Sequence, residues 1–218
     1  MDKDIVLLAC SKKHNNYCVA GIDIRNGEWV RIVSDDQVIS EAVRADDMRF
    51  EDGALPQLLN IVRVPVLGRR PNYYQPENYI LDDRHYWSRI GVANAVEVAK
   101  NYTTNRPEYL FYNTAKSIES NYIQGLREDE KFSLIALIPE NLQVQVKHWP
   151  EGKKVDVSFI YNGRWYRYLK VTDPEFLHEF LGREEGNYFL RENIMLVVSL
   201  GENYYGAHYK LVSGVIRF

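Results

Sequence analysis

The hexapeptide Asn26-Gly27-Glu28-Trp29-Val30-Arg31 returns as Asn162-Gly163-Arg164-Trp165-Tyr166-Arg167, displaced by 136 residues (162 − 26). Asn-Gly between alternating apolar runs is a strong hairpin signal, because a type I′ turn needs positive φ at both central residues. Past the turn, the period of two puts Trp and Arg on one face of the outgoing strand. A chain that writes this hairpin twice, each time with a ring beside a guanidinium, points to a duplicated β unit.

The flanking sequence fits that unit on both sides. Alternation predicts strands over 4–11, 17–24 and 28–34, then a strand over 60–67 that Pro65 confines to an edge or a bulge. Residues 35–57 read as irregular with a short helix near 37–44, residues 75–80 as extended, and residues 83–100 as helical. The stretch 101–130 turns polar and reads as a connector with a helix near 114–125. Strands resume over 132–138, 141–148, 154–161, 164–171, 194–199 and 209–218. Thr172-Asp173-Pro174-Glu175 starts a helix that should stop at Gly182. The expected fold is mainly β (α+β): two OB-like or SH3-like small barrels joined by a partly helical connector. The expected domains are 1–100, a barrel with a terminal helix, the connector 101–130, and a second barrel over 131–218.

Composition narrows the function classes. A net charge of −3 and a pI of about 6.0 argue against bulk electrostatic capture of nucleic acid while leaving room for a local basic groove. Aromatic side chains make up 13%, which suits both sheets and base-stacking surfaces. No apolar run reaches the ~20 residues of a membrane span, so no membrane partner is expected. The first residues read as a strand, not a signal peptide. With two cysteines, this sets the expectation of a cytoplasmic protein with reduced thiols.

Candidate binding residues follow from ring and charge. Trp29 and Trp165 offer stacking faces, and Arg31 and Arg167 offer phosphate pairing; packing inside each barrel is the other reading of the tryptophans. Lys12 and Lys13 stand in the loop between the first two strands, at a barrel mouth, or else in a solvated turn. Arg63, Arg69 and Arg70 form a second basic cluster, fit for phosphates or for guarding an apolar edge strand. Tyr205 lies in the ring-rich stretch 199–210, either a stacking surface or a loop packed on the other half.

Metal and catalytic signals are thin. Cys10, His14 and Cys18 recur every four residues. A hairpin about His14 would set the cysteines opposite one another, with His85 or His208 needed to complete a zinc site. Two buried small residues is the preferred reading, so no metal and no cofactor is expected. Glu151-Gly152-Lys153, with Asp129 upstream, has the spacing of some metal-dependent nucleases but falls in a turn. No phosphate loop, metal-binding helix or nucleophile elbow is present, and the chain reads as non-enzymatic.

Ser11-Lys12, Cys18-Val19-Ala20-Gly21, Glu28-Trp29-Val30-Arg31 and Ile61-Val62-Arg63-Val64-Pro65 occur in the order seen in a known family. Gln75-Pro76-Glu77-Asn78-Tyr79, Ser199-Leu200-Gly201-Glu202 and Lys210-Leu211-Val212-Ser213-Gly214-Val215-Ile216 continue it. The chain resembles, over nearly its whole length, the bacterial dual OB-containing domain family. The resemblance implies paired OB-like barrels in defence or nucleic-acid-linked settings, without an enzyme activity. The family's first loop is glycine-rich, whereas here it reads Lys13-His14-Asn15-Asn16. The expected function is a binding module for single-stranded DNA or RNA, or a nucleotide. The alternatives are an adaptor for partner proteins of a multi-component system and, third, a metal-dependent nuclease.

Overall fold

A computed structural model describes residues 1–13, 15–150 and 152–218. The first half contains β1 (Asp2–Lys13), β2 (Asn16–Asp23), β3 (Trp29–Val33), β4 (Asn60–Arg69), β5 (Asn78–Leu81) and β6 (Ser88–Val92), followed by α1 (Ala95–Tyr102). Its hydrogen-bonded order is β1-β2-β3-β5-β4, and β4 pairs back onto β1, which closes a five-strand barrel. β3 and β5 run parallel; the other pairs are antiparallel. That order is the Greek-key closure of an OB barrel. β6 extends the sheet from β4.

The second half contains β7 (Ser117–Glu119), α2 (Ser120–Gln124), β8 (Leu134–Leu137), β9 (Glu140–Trp149), β10 (Gly152–Tyr161), β11 (Arg164–Val171), α3 (Pro174–Leu181), β12 (Gly186–Phe189), β13 (Ile194–Tyr204) and β14 (Ala207–Arg217). The order is β12-β9-β10-β11-β14-β13-β8, with β11 and β14 parallel as β3 and β5 are. β8 and β9 stand toward opposite ends of this sheet, yet only Ile138-Pro139 separates them in the chain. They are one strand path bent at a proline, which cannot donate to a ladder, and the sheet curls back on itself.

The repeated hairpin keeps a tryptophan facing an isoleucine but neither its turn nor its pairing distance. Trp29 pairs with Ile22, and Trp165 pairs with Ile160. Asn162 and Gly163 both take positive φ, the expected two-residue turn. In the first copy Ile24 and Arg25 lengthen the loop. Gly27 alone is left-handed, and its N–H closes onto the Asp23 carbonyl at 2.8 Å.

Three elements differ from expectation. The helix predicted over 83–100 begins only at Ala95, where the Asn94 side chain caps it by accepting from Glu97 N at 3.1 Å. Upstream, Trp87 is buried in the first core and Ser88–Val92 pairs with β4, since the unpaired edge of that strand outweighs weak helical periodicity. The short helix near 37–44 shrinks to one 3-10 turn, Gln37–Ile39, and the helix near 114–125 to Ser120–Gln124. The 101–130 stretch also supplies Leu110, Phe111, Ile118 and Ile123 to the second core and β7 to its sheet. The helix at 174–181 forms as expected, capped by Asp173 and ending at Gly182.

Each barrel has its own core, and a third apolar layer joins them. Val6, Leu8, Ala20 and Ile22 of the first barrel pack on Leu134, Met195, Val197 and Ile216 of the second. Small residues bring the sheets close. A Cβ on Gly214 would lie 2.0 Å from the Leu8 carbonyl oxygen.

Lys210 is buried in the second barrel, its Nζ donating to Asn113 O at 2.6 Å and Asn113 Oδ1 at 2.9 Å. Burial pulls its amine down to about 7, while an unfolded lysine titrates near ~10.4. Across that window the unfolded chain binds more protons, so the Lys210 contribution to stability rises with pH. Unfolding free energies from urea titration of the wild type and Lys210→Met at pH 7, 8 and 9 should therefore diverge by up to ~1.4 kcal/mol per pH unit in favour of the wild type. Buried phenols and thiols titrate equally in both proteins and cancel in the difference. Parallel curves would show that the amine does not titrate in that range.

Candidate nucleic-acid interface

The outward face of β9, β10 and β11 carries a basic and aromatic patch. Alternation turns Leu142, Val144 and Val146 into the core and Gln143, Gln145, Lys147 and Trp149 to the other face, where Gln145 is itself buried and accepts from Ser158 Oγ at 3.2 Å. On β10, Lys154 stands directly opposite Lys147, and Asp156 opposite both Gln145 and Lys170. Like charges facing each other on a sheet are destabilising. Lys116, from the segment before β7, lies over the same face.

A bulge aims a ring into these cations. Arg167 and Tyr168 together oppose Ser158, and Tyr168 adopts φ 55, with its N–H donating to Ser158 Oγ at 3.0 Å. Left-handed backbone at a non-glycine residue costs ~1–2 kcal/mol, and bulges re-aim side chains. Tyr168, 40% exposed, receives Lys147 Nζ at 4.4 Å and Lys116 Nζ at 5.1 Å from its ring centre. Lys154 Nζ sits 4.3 Å over Trp149, which is 51% exposed, and Arg167 lies 4.6 Å over Trp165. Burial pushes the Asp156 carboxyl up, although Lys116, Lys147, Lys154 and Lys170 all pull it down. One half-buried acid thus sits among four ammonium groups.

The first barrel treats the matching residues differently. Trp29 packs, partly buried, on the layer between the barrels. Arg31 is buried, donating from Nη2 to Ser133 Oγ at 3.0 Å; the Ser133 hydroxyl in turn donates to Glu77 Oε2 at 2.9 Å. Lys12, exposed, and Lys13 stand at the mouth of the cleft between the barrels. Lys13 Nζ is tied to Ser40 O at 2.6 Å and Glu202 Oε1 at 2.5 Å. The repeat therefore places Trp and Arg on equivalent strands with both tryptophans half-buried, but of the two arginines only Arg167 faces solvent.

The other predicted cations are engaged on the surface of the first barrel. Arg63 forms a two-pronged pair with Asp4, at 2.7 and 3.0 Å, which with Arg25 holds that carboxyl down at about 2. Arg69 Nη2 donates to Pro76 O at 3.1 Å, and Arg70 pairs with Asp35 and Glu41. Tyr205 crowns the β13–β14 hairpin, 92% exposed, in a turn where it and Gly206 both take positive φ.

The metal and nuclease candidates come apart. In the β1–β2 register Ser11 faces Cys18 and Cys10 faces Val19, so the cysteines are one step out of register and point to opposite faces. This corrects the expectation that they oppose one another: the partner of each residue is shifted by one from the pairing that a turn centred on position 14 would give. His14 and Glu151 lie outside the described residues. His208 is held by Tyr73 Oη at 2.7 Å and Gly201 O at 2.8 Å. Lys153 Nζ donates to Leu181 O and Arg183 O, at 3.2 and 2.8 Å, and so caps α3. Among the described residues no three His, Cys, Asp or Glu side chains gather as a metal cage.

Sequence reading missed Lys116, Lys147, Trp149, Lys154, Tyr168 and Lys170. Gln143-x-Gln145-x-Lys147-x-Trp149 did display an outward polar row, but its opposition to Lys154 depends on the hairpin register. OB barrels take up oligonucleotides on the face of their second and third strands and the adjoining loops. In the second barrel those are β10, β11, the 149–152 turn with Trp149 and the 204–207 turn with Tyr205. No helix among the described residues is long and apolar enough to cross a membrane. No curated protein and no solved structure matches the chain. A family model, the dual OB-containing domain, matches residues 3–215, and with that match over nearly its whole length the chain belongs to the dual OB-containing domain family, an OB-fold module of the kind that binds nucleic acids.

Proposed function

We propose that this protein binds single-stranded nucleic acid on the outer face of β9, β10 and β11. The observation that carries the reading is Lys147 facing Lys154 between two exposed rings, Trp149 and Tyr168, in a chain of net charge −3. Phosphates would relieve the repulsion, and bases would stack on the rings at ~1–3 kcal/mol each. Trp165, Arg167 and Tyr205 extend the same surface, whereas Arg63 and Arg70 are paired with acids of their own barrel and Arg69 is tied to the Pro76 carbonyl.

Anisotropy titrations with labelled single strands of DNA and RNA, and with a duplex, test it at two salt concentrations. Single strands should bind more tightly than duplex, with a shallow salt dependence reflecting a few phosphates at ~0.7 each in log–log slope. Failure of both single strands to bind at tens of micromolar protein in low salt would overturn the reading. An adaptor role draws support from one specific feature, the edge-to-face pair Tyr204–Tyr205 exposed at the β13–β14 tip, with centroids 4.5 Å apart. Tyr, Trp and Arg are the usual anchors of protein interfaces.

A further inference from the structure

Arg31 is a buried cation whose charge is not matched by an adjacent acid among the described residues. Only 6% of its surface is exposed, its Nε has no hydrogen-bond partner, and it makes no ion pair among the described residues. The Glu77 carboxylate reaches it only through the Ser133 hydroxyl. A buried guanidinium without a counter-charge is costly, and it lines a cleft of about 130 Å³ between the two barrels. That is roughly ten times the ~10–15 Å³ needed to house one water. Lys12 and Lys13 from β1 share the lining, as do the Ser11, Thr172 and Ser199 hydroxyls. Glu202 is the one carboxylate there, and Lys13 already pairs with it. Burial pushes the Cys18 thiol up, so it adds no negative charge. Three cations therefore surround the space against one acid.

The geometry points to a phosphate-binding site in this cleft, in which Arg31 anchors a phosphomonoester and Lys12 and Lys13 close over it. The site goes beyond the strand-binding face and uses none of its residues. Guanidinium and phosphate match in a two-pronged geometry that ammonium cannot reproduce. Glu202 competes with the anion for Lys13, which makes it a negative regulator of occupancy. Two sources present such a group: a free mononucleotide and the 5′ end of a phosphorylated strand.

Calorimetric titration of the full chain with inorganic phosphate, AMP, and an oligonucleotide carrying either a 5′-phosphate or a 5′-hydroxyl tests the assignment and separates the sources. AMP binding with no advantage for the 5′-phosphorylated strand identifies a mononucleotide site; an advantage for that strand identifies a strand-end site. Either result supports the cleft only if Arg31→Met loses at least tenfold in affinity, Lys12→Ala loses severalfold, and Glu202→Gln gains severalfold. Should Arg31→Met fail to fold, the opposite shifts of Lys12→Ala and Glu202→Gln decide. The site is refuted if none of the phosphate probes binds at millimolar concentration, or if binding ignores both of those variants.

Discussion

Gly214→Ala should lower the unfolding free energy by roughly 3–5 kcal/mol, at the severe end of single substitutions. The cause is backbone, not side chain. The new methyl would fall 2.0 Å from the Leu8 carbonyl oxygen and 3.3 Å from Val197 Cβ. No rotamer change relieves a clash with main chain, so β14 must move away from β1. Leu8 and Val197 belong to the layer that joins the barrels, and that layer opens with them. Overpacking a core costs ~1–3 kcal/mol on its own, and the lost burial adds to it at ~25 cal/mol per Å². Gly91→Ala is the control. Its φ is ordinary and its nearest neighbour would be Ile61 Cδ1 at 3.9 Å, so its urea midpoint should hardly change. A Gly214→Ala midpoint close to wild type would mean that the barrels do not pack through this contact.

That glycine shows where sequence reading stops. A glycine in a strand signals a bulge or a close approach, but nothing local says which backbone approaches. Gly21 carries the same signal inside one barrel, where its Cβ would meet the Val6 carbonyl oxygen at 2.2 Å. The strands themselves were legible, because period-two alternation reports burial one residue at a time. So was the duplication: Trp29 and Trp165 each oppose an isoleucine on the preceding strand.

What the repeat could not disclose was the fate of each copy. Trp29 and Arg31 lie under the second barrel, so a residue pair identical in sequence became a buried anchor in one half and a surface feature in the other. Likewise Arg63, Arg69 and Arg70 read as a basic cluster only while Asp4, Asp35 and Glu41 are distant in sequence. The cation pair that carries the proposed interface, Lys147 and Lys154, faces itself across a turn. Its meaning comes from register, and one step of slip would have parted the pair and put one of the two side chains on the inner face.

Lys154→Glu should move stability and binding in opposite directions. Glu at 154 faces Lys147 across the ladder, turning a like-charge pair into an opposite-charge pair worth ~0.2–1 kcal/mol. The fold should be as stable as the wild type or slightly more so by urea titration. Affinity for a single strand should nevertheless fall at least tenfold at low salt, and the log–log salt slope should shrink by ~0.7 for each phosphate that the protein no longer neutralises. Trp149→Ala and Tyr168→Ala probe the other half of the interaction. Each should weaken binding by ~1–3 kcal/mol with the salt slope intact, since stacking releases no counterions. Tyr168→Gly would separate strain from stacking: the left-handed φ of 55 suits glycine, so stability should hold or rise while binding falls. A structural patch would lose stability on these changes and leave binding alone. A face kept for a phosphate strand gains or keeps stability and loses its ligand, because the lysines that repel one another across the ladder are the ones a bound phosphate neutralises.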